Sequence, residues 1–191
     1  HLLVRGNNGQ IIFGDDEDRQ RWVQQMAETL REHALALHAY VLMPSQVHLL
    51  ATPASAEALS RAMQALGRRY VSYFNARHGR SGTLWEGRFR GHPVGEPAEV
   101  LGCMRFIETG PMRAGLVSGL LEPAWSSLSH HLGANRDPLL TEPAAYWQLG
   151  NTPFEREAAY AALLQQGLDE ATRRQIEQAA ARGGAFGSPE F

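Results

Sequence analysis

Lysine is missing altogether: all 18 basic residues of the 191 are arginine. Every cation is therefore a guanidinium, which grips phosphate in a two-pronged way and stacks on bases and aromatic rings. Cysteine is nearly missing as well. The one thiol, Cys103, excludes an internal disulfide, is consistent with a cytoplasmic setting, and reads as a small buried apolar residue. No apolar run exceeds about six residues, against the roughly 20 that a helix needs to cross a bilayer. No charged-then-apolar leader follows His1. A soluble, cytoplasmic protein with no membrane partner is expected. There is neither an internal repeat nor a low-complexity tract.

Net charge is also scarce, at −2, which by itself argues against a nucleic-acid partner. The average conceals a segregation. From Arg61 to Arg113 nine arginines face four acids, whereas the remainder carries nine arginines against sixteen acids. The middle third is a basic island in an acidic chain, although a genome-wide preference for arginine over lysine accounts for the residue type equally well.

Taken in order, His1–Arg5 reads as a short strand ending in the turn Gly6-Asn7-Asn8-Gly9. The acids from Asp15 to Asp18 suit the positive end of a helix dipole and start a helix to about His33, with Trp22, Val23, Met26 and Leu30 inward. Leu35–Met43 reads as a strand with His38 and Tyr40 on one face. A second helix spans Ala56 to about His78 and is stopped by Gly79. It has an apolar stripe through Leu59, Met63, Leu66, Tyr70 and Phe74, with Arg61, Arg68, Arg69 and Arg77 off that stripe. The flank is either a plain solvated face or a phosphate-binding one. In Arg80–Arg90 (RSGTLWEGRFR) three arginines lie beside Trp85 and Phe89, a mixture suited to gripping a nucleic-acid backbone and stacking bases. His92-Pro93-Val94 continues the strand. A third helix starts at Glu96-Pro97 and is closed by Gly110-Pro111. Its stripe is Val100, Leu101, Met104 and Ile107, so Phe106 points away and must be covered by something else or face a cleft. Beyond a boundary at Asn135-Arg136-Asp137-Pro138, three short helices are expected, giving a core over residues 1–134 and a helical extension over 135–191.

The most informative stretch is Ala39–Pro53. Two apolar runs meet at Pro44-Ser45, and the second presents Gln46, His48 and Leu50 on one face. Period-two spacing aims a polar residue and a histidine at one point, where a metal ion or a phosphate could sit. A histidine hydrogen-bonded within a sheet face is the ordinary alternative.

Five ordered blocks extend that clue: His1–Asn7 (HLLVRGN), Met43–Leu50 (MPSQVHLL), Ser81–Phe89 (SGTLWEGRF), Arg105–Val117 (RFIETGPMRAGLV) and Pro123–Ser127 (PAWSS). Together they resemble the REP-associated tyrosine transposases, a branch of the single-tyrosine HUH transposases. The resemblance implies an α+β, ferredoxin-like antiparallel sheet with helices packed on it. It implies two strand histidines and a helical amide that hold a divalent metal, and a tyrosine that attacks the phosphodiester. Carried onto this chain, the metal positions fall on Gln46, His48 and Gly110, so only His48 is retained, and the nucleophile falls on Phe106. A phenyl ring has no attacking oxygen.

By the same resemblance the DNA-binding positions are Arg5, Asn7, Arg68, Arg69, Arg77, Arg80, Trp85, Arg88, Arg90 and Arg113. The leading expectation is a catalytically silent protein, monomer or homodimer, that binds hairpin or single-stranded DNA of palindromic repeats. It would need no cofactor, with magnesium or manganese entering only with residual activity. Its rivals are a working transposase with an unorthodox site, using Tyr40, Tyr70 or Tyr73, and a decayed or interaction domain without a nucleic-acid role.

Overall fold

The computed structural model describes residues 1–95, 97–120, 122, 124–182 and 184–187, so the helix start expected at Glu96 lies outside the described residues. Four strands, β1 (Leu2–Arg5), β2 (Leu35–Met43), β3 (Gln46–Pro53) and β4 (Arg90–Gly91), form an antiparallel sheet in the order β2-β3-β1-β4. The β2–β3 hairpin turns at Pro44-Ser45, and the antiparallel register sets Leu3 against His48 and Arg5 against Gln46. Helices cover both faces of the sheet, giving an α+β architecture.

Alternation along the strands decides which helices go where. Leu2, Val4, Leu42, Val47 and Leu49 point to one side and pack with Trp22, Met26, Leu66, Tyr70 and Phe74 of α1 (Asp16–Glu32) and α2 (Ala56–Arg77). Val41, Met43 and Leu50 point to the other side and join Met104 and Ile107 of α3 (Pro97–Glu108). Local signals set the helix ends. Asp15 and Ser55 cap α1 and α2 by accepting the N–H groups of Asp18 and Ala58, and Gly79 adopts φ +60° just past α2.

Two expectations change and one is extended. α3 ends at Glu108, just before Gly110-Pro111 as expected, but a further turn, α4 (Gly110–Arg113), follows after a break at Thr109. Proline lacks the donor that a first turn leaves unused, so it starts this turn as readily as it ends the last one. A bulge between Leu37 and Ala39 puts His38 and Tyr40 on opposite sides: His38 bonds Thr52 on the α3 side, while Tyr40 packs in the α1–α2 core. The strand expected through Val94 is only Arg90–Gly91, and Val94 instead bridges Phe186.

After α4 the chain returns along the outer edge of β2. Leu42 N–H donates to Trp125 O, Ser127 N–H to Tyr40 O, and Thr141 N–H to Leu37 O, so the exposed strand edge is covered. Short helices α5 (Leu128–His131) and α6 (Ala144–Trp147) and longer ones α7 (Pro153–Gln166) and α8 (Glu170–Arg182) complete the second layer. Residues on both sides of position 134 share this core, since Val41, Leu50 and Met104 pack with Tyr146, Tyr160 and Ile176.

The α1–α2 layer is tied by Asp18, fully buried, which accepts from Gly14 N–H, Tyr73, Arg77 and His78. Burial opposes its ionisation, but these donors together outweigh it and hold its pKa below the ordinary value. Asp18→Ala takes the acceptor from Gly14 N–H, Tyr73 and His78 and one of three carboxylates from Arg77. An expected loss of about 2 kcal/mol, read as a lower urea midpoint at unchanged slope, checks this.

Candidate functional site

A cavity of about 350 Å³ opens between β1, β3, α3, α4 and α8. Each wall follows from the register. Arg5, Gln46 and His48 project from the α3 side of the sheet, Phe106 and Gly110 come from α3 and α4, and Glu177, Ala180 and Ala181 of α8 form the opposite side. The ring of Phe106 is 6% exposed, set edge-on to His48 and His1 at 6.0 and 6.1 Å. Its other cover is Arg113, whose guanidinium lies 4.1 Å from the ring centroid and donates to Thr109 Oγ1 at 2.5 Å. Phe106 therefore both faces a cleft and is covered.

The histidine reading changes most. His48 Nδ1 is 2.9 Å from His1 Nε2, and His1 Nδ1 is 3.3 Å from His92 Nε2, so three imidazoles form a chain through the sheet edge. Burial, then the positive charges of Arg113 and Arg5, drive the His48 pKa down to about 3. Burial pulls His92 to about 4. His48 is a neutral, hydrogen-bonded histidine, as in the ordinary alternative, yet it lines the cavity as the metal reading requires.

The donor set does not fit a divalent cation. Gln46 Oε1 accepts from Arg5 Nε at 3.3 Å, its amide nitrogen turns to Met43 Sδ, and Gly110 has no side-chain donor. Among the described residues no group of three His, Cys, Asp or Glu side chains is arranged to hold a metal ion. The three histidines bond one another instead of converging on one point. Two guanidiniums, Arg5 and Arg113, line the same cavity as Gln46, His48 and Gly110 and act on His48 as positive charges.

All five tyrosines are committed elsewhere. Tyr40 donates to Asp137, Tyr70 to Ile12 O, Tyr73 to Asp18, Tyr146 to His131 O and Tyr160 to Glu108, and none lines the cavity. Burial raises every one of their pKa values, Tyr73 to about 12.

The arginines divide into three sets. Arg5, Arg90 and Arg113 line the cavity. Arg68 and Arg88 flank Trp85 and Phe89 in a second, mostly apolar hollow of about 560 Å³ on the α2 side of the sheet. The two hollows are joined by backbone: Glu86 N–H donates to Arg5 O, Asn7 N–H to Leu84 O, and Gly6 bridges Trp85. Gly6 is required there, since a Cβ would sit 2.1 Å from Gln10 O. The other three arginines expected to contact DNA are engaged within the protein: Arg77 pairs with Asp15, Glu17 and Asp18, Arg69 with Glu32, and Arg80 donates to Gln10. The acids of α1 were legible in the sequence, but their pairing with α2 is a tertiary fact.

A sequence profile of the family described as "Transposase IS200 like" matches residues 1–109, more than half of the chain. The chain belongs to the IS200-like transposases. No curated protein matches this IS200-like chain significantly. Among solved structures it resembles one of a REP-associated tyrosine transposase bound to a REP hairpin, at 15% identity and a TM-score of 0.58, covering 74% of this chain and 83% of that one. At that identity the likeness is one of fold. No described helix of this transposase relative is long and apolar enough to cross a membrane.

Sequence reasoning missed His1, His92 and the α8 wall of the site. His1 shares the face of Leu3 by strand parity, a signal that was present. The pattern Ile176, Ala179, Ala180 marks a helix with a small-residue face, but nothing in it says which surface that face meets.

Proposed function

We propose that this IS200-like transposase relative binds hairpin or single-stranded DNA of palindromic repeats and leaves it uncut, acting in the cytoplasm as a regulator at such elements. The observation that carries the proposal is the placement of Phe106 at the cavity with every tyrosine hydroxyl bonded elsewhere. Without a phenol at the cavity there is no attacking oxygen of the kind this family's chemistry uses. Arginines around the cavity and around the Trp85 hollow supply phosphate contacts and a stacking surface. The similar fold of a transposase bound to a REP hairpin supports that choice of first ligand.

The test pairs a titration with a trapping assay. Labelled palindromic hairpin is expected to bind at least about ten-fold more tightly than an unrelated strand at matched salt, with affinity falling as salt rises. Incubation with magnesium or manganese is expected to give no protein–DNA band that survives denaturant. Equal affinity for both strands would overturn the binding proposal, and a denaturant-resistant band would restore the rival enzyme.

A further inference from the structure

The geometry points to a metal-free phosphate pocket: the cavity holds a phosphodiester of the bound strand between the guanidiniums of Arg113 and Arg5, with Arg113 supplying the charge neutralisation for which a divalent ion would otherwise be needed. The inference rests on the DNA-binding proposal only in naming the strand as the owner of the phosphate.

Charge makes the first case. Arg5, Arg90 and Arg113 line the cavity and Glu177 is the one acid among its lining residues. Arg90 lies 3.6 Å from Glu86, but Arg5 and Arg113 make no ion pair among the described residues. Burial disfavours the charged form of Arg113, and Glu177, which makes no ion pair with it among the described residues, offsets this only in part, so an anion seated in the cavity relieves the rest of that cost.

Preorganisation makes the second. Arg113 is stacked on Phe106 at 4.1 Å and pinned through Nη1 by Thr109 Oγ1, which fixes the plane of the fork and leaves its other donors for a ligand. Phe106 serves this stack without a hydroxyl competing for the same donors. Arg5 is similarly steadied by Gln46 Oε1. A histidine at position 46 would bring a metal ligand; the glutamine present accepts from an arginine instead. His48 lines the cavity beside both cations with its Nδ1 turned to His1 Nε2, away from any shared ion.

The experiment uses the full chain. Hairpin affinity is measured in EDTA and in magnesium for wild type, Arg113→Gln and Arg113→Lys, each checked for fold by circular dichroism. Inorganic phosphate is titrated in EDTA while the arginine Nε–H resonances are followed by NMR. Wild type is expected to bind the hairpin equally with and without the metal. Arg113→Gln is expected to lose about ten-fold or more in affinity and about one unit of salt-dependence slope, with Arg113→Lys between the two. Phosphate is expected to shift the Arg113 Nε–H signal and to compete with the hairpin. Hairpin binding that requires magnesium, or that Arg113→Gln leaves unchanged, would overturn the pocket and leave the DNA-binding proposal standing. Saturable phosphate binding without hairpin binding would do the reverse.

Discussion

Glu108→Ala is expected to lower the unfolding free energy by about 3–5 kcal/mol. The carboxyl group is 2% exposed and makes three hydrogen bonds across four segments. Its Oε1 accepts from Ser127 at 2.5 Å and meets His131 Nδ1 at 2.6 Å, and its Oε2 accepts from Tyr160 at 2.6 Å. Ser127 bonds the backbone of Tyr40 on β2 as well, so one side chain of α3 joins the sheet edge, α5 and α7. Truncation strands a phenol and an imidazole in the core, while Ser127 keeps its bonds to Tyr40, and His131 Nε2 already lacks a partner. Each such group costs about 1–3 kcal/mol, with some relief as water enters the space. Because Phe106 lies two residues before Glu108, loosening this tie also lets the cavity wall drift. Urea unfolding followed by tryptophan fluorescence measures the first effect. A loss under about 1 kcal/mol would mean that the four segments hold together by apolar packing alone.

That network explains why the front half of the chain was easier to read than the back. The strands around Pro44-Ser45, the helix from the acids at Asp15 and the arginine-flanked helix to Arg77 each carry a local signal, whether alternation, a cap or a 3.6-residue stripe, and each forms as expected. Phe106 was legible too, as an aromatic side chain off its helix stripe. What was illegible depends on chain returns. Arg77 reads as a free cation until α1 brings three carboxylates to it, and Glu108 reads as one more surface acid until α5 and α7 close over it. The roof over the cavity is of the same kind: Ala180 and Ala181 are small enough to approach α3 and α4, but nothing local says that they do. Gly110 shows the two levels meeting. A Cβ there would come within 3.3 Å of Met43 Sδ, so restoring an amide at 110 requires Met43 to yield. For this reason Gln46→His, Phe106→Tyr and Gly110→Asn belong together in any attempt to recover cleavage, and none suffices alone.

The chain of imidazoles gives the second large effect, on pH. His48 and His92 are 7% and 5% exposed and have pKa values of about 3 and about 4, against about 6.5 for histidine in an unfolded chain. Between those limits the unfolded state binds more protons than the folded one, so stability rises with pH and is lost as pH falls from about 6.5. The cause lies on every side of His48: Arg113 and Arg5 repel a further positive charge, and His1 already occupies Nδ1. From about pH 7 to about pH 5 the two groups together should remove about 2–4 kcal/mol, measured by urea unfolding in EDTA. Replacing His92 by asparagine is expected to take away about half of what these two groups contribute, on top of a smaller background from His38 and His130, whose pKa values burial also lowers, while costing some stability at neutral pH. Carboxylates such as Asp15, held at about 2 by its hydrogen bond to Arg77, titrate lower and do not blur this window. A profile flat from neutrality to about pH 5 would show the imidazoles taking up protons in the folded state as readily as in water. In that case the cavity would be far wetter than its packing indicates, and two guanidiniums there would repel a third charge too weakly to organise a phosphate.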